Sequence, residues 1–184
     1  MTKKEDLKKQ IIQAVEKVKQ TNPMAASITN TVTINLVANT QIAVGGGAAM
    51  VYMPDEGEFI ARAGGATYIN VGTLFPVYEQ TLPSTAKVLH DTGKPWVLDP
   101  VAIGIGSLRT KLLQQFKKYK PSVIRGNPSE IIALAGLWNL DGGTDVSNVR
   151  GVDSTDPVNA AKVAAVALAK CTGGAVAVSG ETDL

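Results

Sequence analysis

The feature that most constrains this chain is a rhythm that begins after the glycines at 45–47 and runs almost to the end of the sequence. A short apolar run, "AAMVYM", is followed by "DEGEFIARAG", whose acidic first turn suits the positive end of a helix. The pattern then recurs as "ATYINVG" with "YEQTLPSTAKVLHDTG", "PWVLD" with "SLRTKLLQQFKKYK", and "SVIRG" with "PSEIIALAG". A loop containing "DGGTD", the Ala-rich helix "PVNAAKVAAVALAKC" and a last strand, "GAVAVSG", close the series. Short apolar strands alternating with helices of ten or more residues predict a doubly wound, mostly parallel α/β sheet with helices on both faces. Residues 1–184 read as one domain, without internal repeats or low-complexity tracts.

The N-terminal part follows other patterns. Leu7, Ile11, Val15 and Val18 recur at helical spacing, so an amphipathic helix is expected over 3–20, ending before Asn22-Pro23. In "ITNTVTINLVANTQIAVGGG", Val32, Ile34 and Leu36 alternate like a strand, while Asn30 is placed to cap a helix over Val32, Leu36 and Ala43. Periodicity leaves both readings open.

Composition then removes whole classes of function. A net charge of +2 and 5% aromatic residues give neither a basic field for a polyanion nor platforms for bases, so nucleic acid is not an expected partner. The charged first ten residues are unlike a signal peptide, and no run of about 18 apolar residues appears, so a membrane is not expected either. One cysteine, Cys171, excludes an internal disulfide and a multi-cysteine zinc site, and a cytoplasmic protein is expected. "GGGAAM" lacks the third glycine of a dinucleotide fingerprint, and "GKPW" has proline where a Walker motif needs Ser or Thr. His90 reads as a helix-surface residue, Cys171 as a small buried one and Met50, in a short strand, as core.

In open α/β sheets ligands bind beyond the carboxyl ends of the strands. Those ends here carry Gly72-Thr73, Asp99-Pro100, Arg125-Gly126-Asn127 and Ser179-Gly180-Glu181, which a parallel sheet would gather on one edge. Asn127, Pro128 and Glu130 match a capping box, which needs no ligand. Arg125 is not explained that way: a guanidinium facing a helix start is suited to a phosphate. Asp99-Pro100 alone reads as a turn, but two carboxylates, Asp99 and Glu130, beside Arg125 are the parts of a Mg²⁺-nucleotide site.

These residues also carry a resemblance. "SITN", "AAMVY", "INVGT", "WVLDPVAIG", "VIRGNPSEIIALAG", "RGVDSTD" and "AVSGETD", in that order, resemble the hydroxyethylthiazole kinase family of the ribokinase-like superfamily, from about Pro23 onward. The resemblance implies ATP- and Mg²⁺-dependent phosphorylation of the hydroxyl of 4-methyl-5-(2-hydroxyethyl)thiazole in thiamine biosynthesis or salvage, by a homotrimer with active sites between subunits. It implies substrate contacts at Asn30 and Met50, with Gly72 and Thr73 lining the pocket. It implies ATP contacts at Arg125, Asn127 and Ser179, and a Mg²⁺ site organised by Asp99 and Glu130. It also makes the segment after Asn30 a helix. "RGVDSTD" is a family signature to which only a helix start at Asp156-Pro157 can be assigned. The family's Gly-Thr-Gly-Cys loop, which cradles the transferring phosphoryl group, does not occur in these 184 residues, and Cys171 precedes the last strand and cannot replace it. No catalytic residue is therefore assigned. The chain is expected to be C-terminally incomplete, with the strand "AVAVSG" left uncovered, and impaired in turnover, since one oxyanion donor alone is worth about 10²–10³-fold. Two alternatives remain: another small-alcohol kinase of the superfamily, or an incompetent fragment that only binds ligand.

Overall fold

The computed structural model describes residues 3–144 and 158–184. Helix α1 (Lys3–Thr21) precedes strand β1 (Met24–Ile28), and the chain continues α2 (Ile34–Ala43), β2 (Gly47–Met50), α3 (Pro54–Ala63), β3 (Ala66–Asn70) and α4 (Tyr78–Thr92). It ends with β4 (Trp96–Asp99), α5 (Ser107–Tyr119), β5 (Val123–Gly126), α6 (Pro128–Leu137), a 3-10 turn (Val158–Ala161), α7 (Lys162–Thr172) and β6 (Ala175–Val178). All six strands pair in parallel, in the order β2-β1-β3-β4-β5-β6. The expected doubly wound α/β sheet is what forms. "RGVDSTD" and the helix start at Asp156-Pro157 lie outside the described residues.

Strand order reverses between β1 and β3, because β1 steps outward to β2 and every later strand adds on the other side. Right-handed crossovers then place α2 on one face and α3, α4 and α5 on the other. The two faces differ in chemistry. In register across the sheet, Ile28, Ile69, Leu98 and Ile124 form one row, each almost wholly buried. Side chains alternate along a strand, so Ser27, Tyr68, Asn70 and Asp99 point the other way. The apolar row is sealed by α4 and α5 through Leu82, Leu89, Leu112, Leu113 and Phe116. Gly57 lets α3 approach α4, since a Cβ there would sit 2.2 Å from Thr85 Oγ1. Gly93 closes α4 at φ 65°, a left-handed cap that glycine adopts freely.

The ambiguous segment resolves as turn and helix, not strand. Asn30 Oδ1 accepts from the backbone N–H groups of Val32 and Thr33, and α2 starts at Ile34. No residue of α2 is buried, and Val32, Leu36 and Ile42 are exposed, as are Leu7, Ile11 and Ile12 of α1. These exposed apolar stripes account for the helical periodicity without being buried by the described residues. His90 is exposed as expected; Cys171 is half-buried. No helix among the described residues is long and apolar enough to cross a membrane.

Candidate active site at the carboxyl edge of the sheet

The reversal point between β1 and β3 opens a cleft of about 590 Å³ at the carboxyl edge. Asn30, Gly72, Thr73, Asp99 and Arg125 line it, together with Tyr68, Asn70 and the apolar Val32, Leu36, Val37 and Val101. Five of the residues singled out from sequence thus converge from four strand ends. A parallel sheet achieves this because consecutive strands finish side by side, and Asn70 and Asp99 are register partners.

Asp99 is the electrostatic centre. Its Oδ2 accepts from Tyr68 Oη at 2.8 Å and from Arg125 Nη1 at 3.3 Å, while its buried Oδ1 has no hydrogen-bond partner among the described residues. Burial pushes this carboxyl above the usual carboxylate range; the Tyr68 hydrogen bond and the Arg125 charge oppose the shift. Burial and the charge of Asp99 also hold the Tyr68 phenol well above its ordinary value. The Arg125 side chain is half exposed, so part of its donor fork faces solvent.

Glu130 is held by a capping box at the start of α6. Its Oε2 accepts from the Asn127 backbone N–H at 2.8 Å, and Asn127 Oδ1 accepts from the Glu130 N–H at 2.9 Å. The ligand-free reading of this motif is therefore correct as local structure, and the Asn127 oxygen is occupied by it. Glu130 is nonetheless buried, and burial raises its carboxyl above the usual range, opposed by the Asn127 amide and reinforced by the charge of Asp99. The backbone amide of Ala102, a non-glycine residue at φ 60°, also favours the ionised form. Two carboxylates, both costly to ionise where they stand, are thereby kept close to one another.

Other expected residues fall elsewhere. Met50 lines a second cleft, of about 600 Å³, with Val51, Asp55, Glu56, Phe59 and Ile60. It is half-buried, so the core reading does not hold, and it shares no cleft with Asn30. Ser179 sits beyond β6, where its backbone N–H donates to the Gly126 carbonyl at 2.9 Å, beside the β5 loop but outside the lining of the main cleft.

Three residues escaped the sequence reading. Tyr68 and Asn70 stand two apart on β3, facing the cleft; a polar pair at the end of a central strand was the available signal. Arg109 is a buried guanidinium, each of whose three nitrogens donates to a backbone carbonyl: Val71 at 2.9 Å, Gly72 at 3.3 Å, and Ile105. It ties the loop after β3 to the loop after β4, and burial lowers its pKa. An arginine inside an amphipathic helix pattern gives no such warning.

The Hydroxyethylthiazole kinase family model matches residues 15–184. The chain belongs to the hydroxyethylthiazole kinase family. A relative named hydroxyethylthiazole kinase, from Bifidobacterium longum subsp. infantis, is 51% identical over 192 aligned positions covering 95% of this chain and 61% of the relative. The solved structure of the hydroxyethylthiazole kinase protein from Pyrococcus horikoshii OT3 superposes with a TM-score of 0.77 at 30% identity, covering 95% of this chain and 62% of that one. Pyridoxal kinase from Staphylococcus aureus, at 18% identity and a TM-score of 0.54, shares the fold alone, over 85% of this chain and 62% of its own. The chain thus spans about three-fifths of the length of these family members. Across that span the fold brings the charged groups Asp99 and Arg125 into a partly apolar cleft.

Proposed function

We propose that this protein phosphorylates the hydroxyl of hydroxyethylthiazole with ATP and Mg²⁺, as a cytoplasmic enzyme of thiamine biosynthesis or salvage. The observation that carries the reading is Asp99: a buried carboxylate beside the strand-order reversal, with one oxygen ion-paired to Arg125 and hydrogen-bonded by Tyr68, and the other without a partner among the described residues. An oxygen-only donor set and an orphaned buried oxygen fit a hard divalent cation. Asp99 and Glu130 would hold Mg²⁺, in part through its waters, since no three His, Cys, Asp or Glu side chains among the described residues form a metal cage. Bound there, the cation supplies charge neutralisation at the nucleotide phosphates.

The chain's own groups have separable tasks. Arg125 offers its solvent-facing donors to phosphate oxygens, where a charged hydrogen bond contributes about 1.5–3 kcal/mol. Gly72 and Thr73 bring backbone close to the ligand; a Cβ at Gly72 would crowd Asn70 Oδ1 at 3.0 Å and Asn30 Cβ at 3.2 Å. Val32, Leu36 and Val37 provide the apolar wall a thiazole ring needs. Ser179 and Asn127 extend the nucleotide side along β5 and β6.

The homotrimer implied by the family resemblance is part of the proposal. Asn30 and Met50, both assigned to the thiazole, lie in separate clefts of one chain, so a second copy is needed to bring them to one ligand. The exposed Leu7, Ile11, Leu36 and Phe59 support such an interface. Light scattering on the purified protein is expected to give three times the chain mass; a monomer that turns over would refute the shared site.

The decisive assay incubates the purified protein with ATP, Mg²⁺ and a panel of alcohols, and detects the phosphate ester by ³¹P NMR. Thiazole phosphate formed only with Mg²⁺ is the expected product. Phosphorylation of a sugar or pyridine alcohol in its place, with none of the thiazole, would overturn the substrate assignment.

A further inference from the structure

The polar groups of the main cleft form a chain of hydrogen bonds whose direction is fixed. Asn30 Oδ1 accepts from the backbone N–H groups of Val32 and Thr33 at 3.0 and 2.9 Å, and from Thr33 Oγ1. Its amide nitrogen donates to Asn70 Oδ1 at 3.1 Å, and that oxygen also accepts from the Gly72 N–H at 2.9 Å. With its oxygen used in this way, the Asn70 amide must turn its NH₂ toward Tyr68, to whose Oη it donates at 3.0 Å. The phenol has one proton, and its remaining neighbour is Asp99 Oδ2 at 2.8 Å, an oxygen that only accepts when ionised. Accepting from Asn70 and donating to Asp99 is the arrangement that satisfies every member. Reversing any link would leave two donors or two acceptors facing each other.

The two ends of this chain lie at different parts of the cleft. Asn30 fixes the turn before α2, whose Leu36 and Val37 form the apolar wall, whereas Asp99 faces Arg125. Asn70 and Asp99 are almost fully buried, so water has little access to replace a broken link. A ligand that seats against the turn and straightens Asn30 therefore acts on the orientation of Asp99 without touching it.

We infer that Tyr68 is a positioning residue which, through Asn70, couples the alcohol end of the cleft at Asn30 to the carboxylate of Asp99 at the metal and phosphate end. This rests on the proposed kinase reading for the identity of the two ligands. The coupling is reciprocal: occupancy of either end preorganises the other. Tyr68→Phe keeps the ring and removes the only atom the relay uses. Asn70→Ala cuts the relay one link earlier and leaves the Tyr68–Asp99 bond intact.

The test is calorimetric titration of Mg²⁺–ADP into wild type and both variants, with and without saturating hydroxyethylthiazole, after thermal denaturation has confirmed folding. In wild type the thiazole is expected to tighten Mg²⁺–ADP by about 5-fold or more. In Tyr68→Phe, Mg²⁺–ADP alone binds roughly 10-fold more weakly, as loss of a hydrogen bond to a charged group predicts, and the thiazole no longer affects it. In Asn70→Ala the thiazole effect on Mg²⁺–ADP is again lost. A folded Tyr68→Phe that keeps the wild-type coupling would overturn the inference, because a phenol that merely fills a polar stripe has no influence on it. Wild type that binds both ligands without coupling would also overturn it and leave the kinase reading standing. Wild type that binds neither would overturn the kinase reading itself.

Discussion

Replacing Glu130 with glutamine tests whether the site holds its carboxylates at a cost to stability. Glu130 is almost fully buried, its carboxyl is raised above the ordinary range chiefly by burial, and it accepts from the Asn127 amide at 2.8 Å. Because the folded pKa lies above the unfolded value of about 4.3, the folded state holds this proton longer than the unfolded chain does. The group's contribution to stability is therefore complete below the unfolded pKa and is lost as pH rises through the folded one. Glutamine keeps a neutral acceptor for the capping box and cannot ionise. Against the several kcal/mol that burying a charge costs, it gives up the difference between charged and neutral hydrogen bonds, about 1 kcal/mol each. The net expectation at neutral pH is a gain of about 1–2 kcal/mol, or roughly 2–8 °C in Tm for a chain of this size. The assay is calorimetric melting of both proteins, without nucleotide or Mg²⁺, from about pH 5 to about pH 8. The advantage of Glu130→Gln should grow as pH rises. A difference that does not change with pH, or a variant less stable at the alkaline end, would refute the reasoning.

Further predictions concern residues whose partners are equally defined. Arg125→Gln should weaken ATP binding by roughly 10- to 100-fold and leave thiazole binding unchanged in titrations. It should shift stability by less than about 1 kcal/mol, because the Arg125 side chain is half exposed and its ion pair with Asp99 spans 3.3 Å. Arg109→Met leaves the carbonyls of Val71, Gly72 and Ile105 without their donor and should cost about 3 kcal/mol or more in denaturant unfolding. Arg109→Lys should recover only part of that, since an ammonium lacks the planar fork. Asn127→Ala removes the acceptor for the Glu130 N–H and should lower stability by about 1 kcal/mol in the same assay.

The parallel sheet was legible because its crossover helices carry start and stop signals: Pro54 and acidic residues in the first turn of α3, Gly93 after α4, and the Asn127 cap with Pro128 at α6. The convergence of Asp99 and Arg125 on one edge followed from parallelism alone, and both line one cleft. Tyr68 and Arg109 were not legible. Inside "ATYINVG" a tyrosine fits the strand pattern as a core aromatic, and its role depends on β4 placing Asp99 within 2.8 Å. Arg109 fits the polar side of α5 by sequence, yet the loops after β3 and β4 fold over it. The segment after Asn30 was ambiguous because none of the α2 residues is fully buried, so burial imposed no sharp strand or helix period on its apolar residues.

What the sequence determined by itself was local and periodic: where helices begin and end, that short apolar strands between them must lie parallel, and that the strand ends carry Asp99, Arg125 and Asn127. What only the tertiary structure decided was which strands became neighbours and which face of the sheet stayed open. Pairing β3 beside both β1 and β4 brought Asn30, Asn70, Tyr68 and Asp99 into a single relay. On that face α2, none of whose residues is fully buried, borders the cleft through Leu36 and Val37 and leaves it accessible. The physical reason is range. Capping, propensity and period act over a few residues, whereas the burial of Asp99 and Glu130, and the direction of every hydrogen bond between Asn30 and Asp99, depend on atoms brought together from strands far apart in the chain.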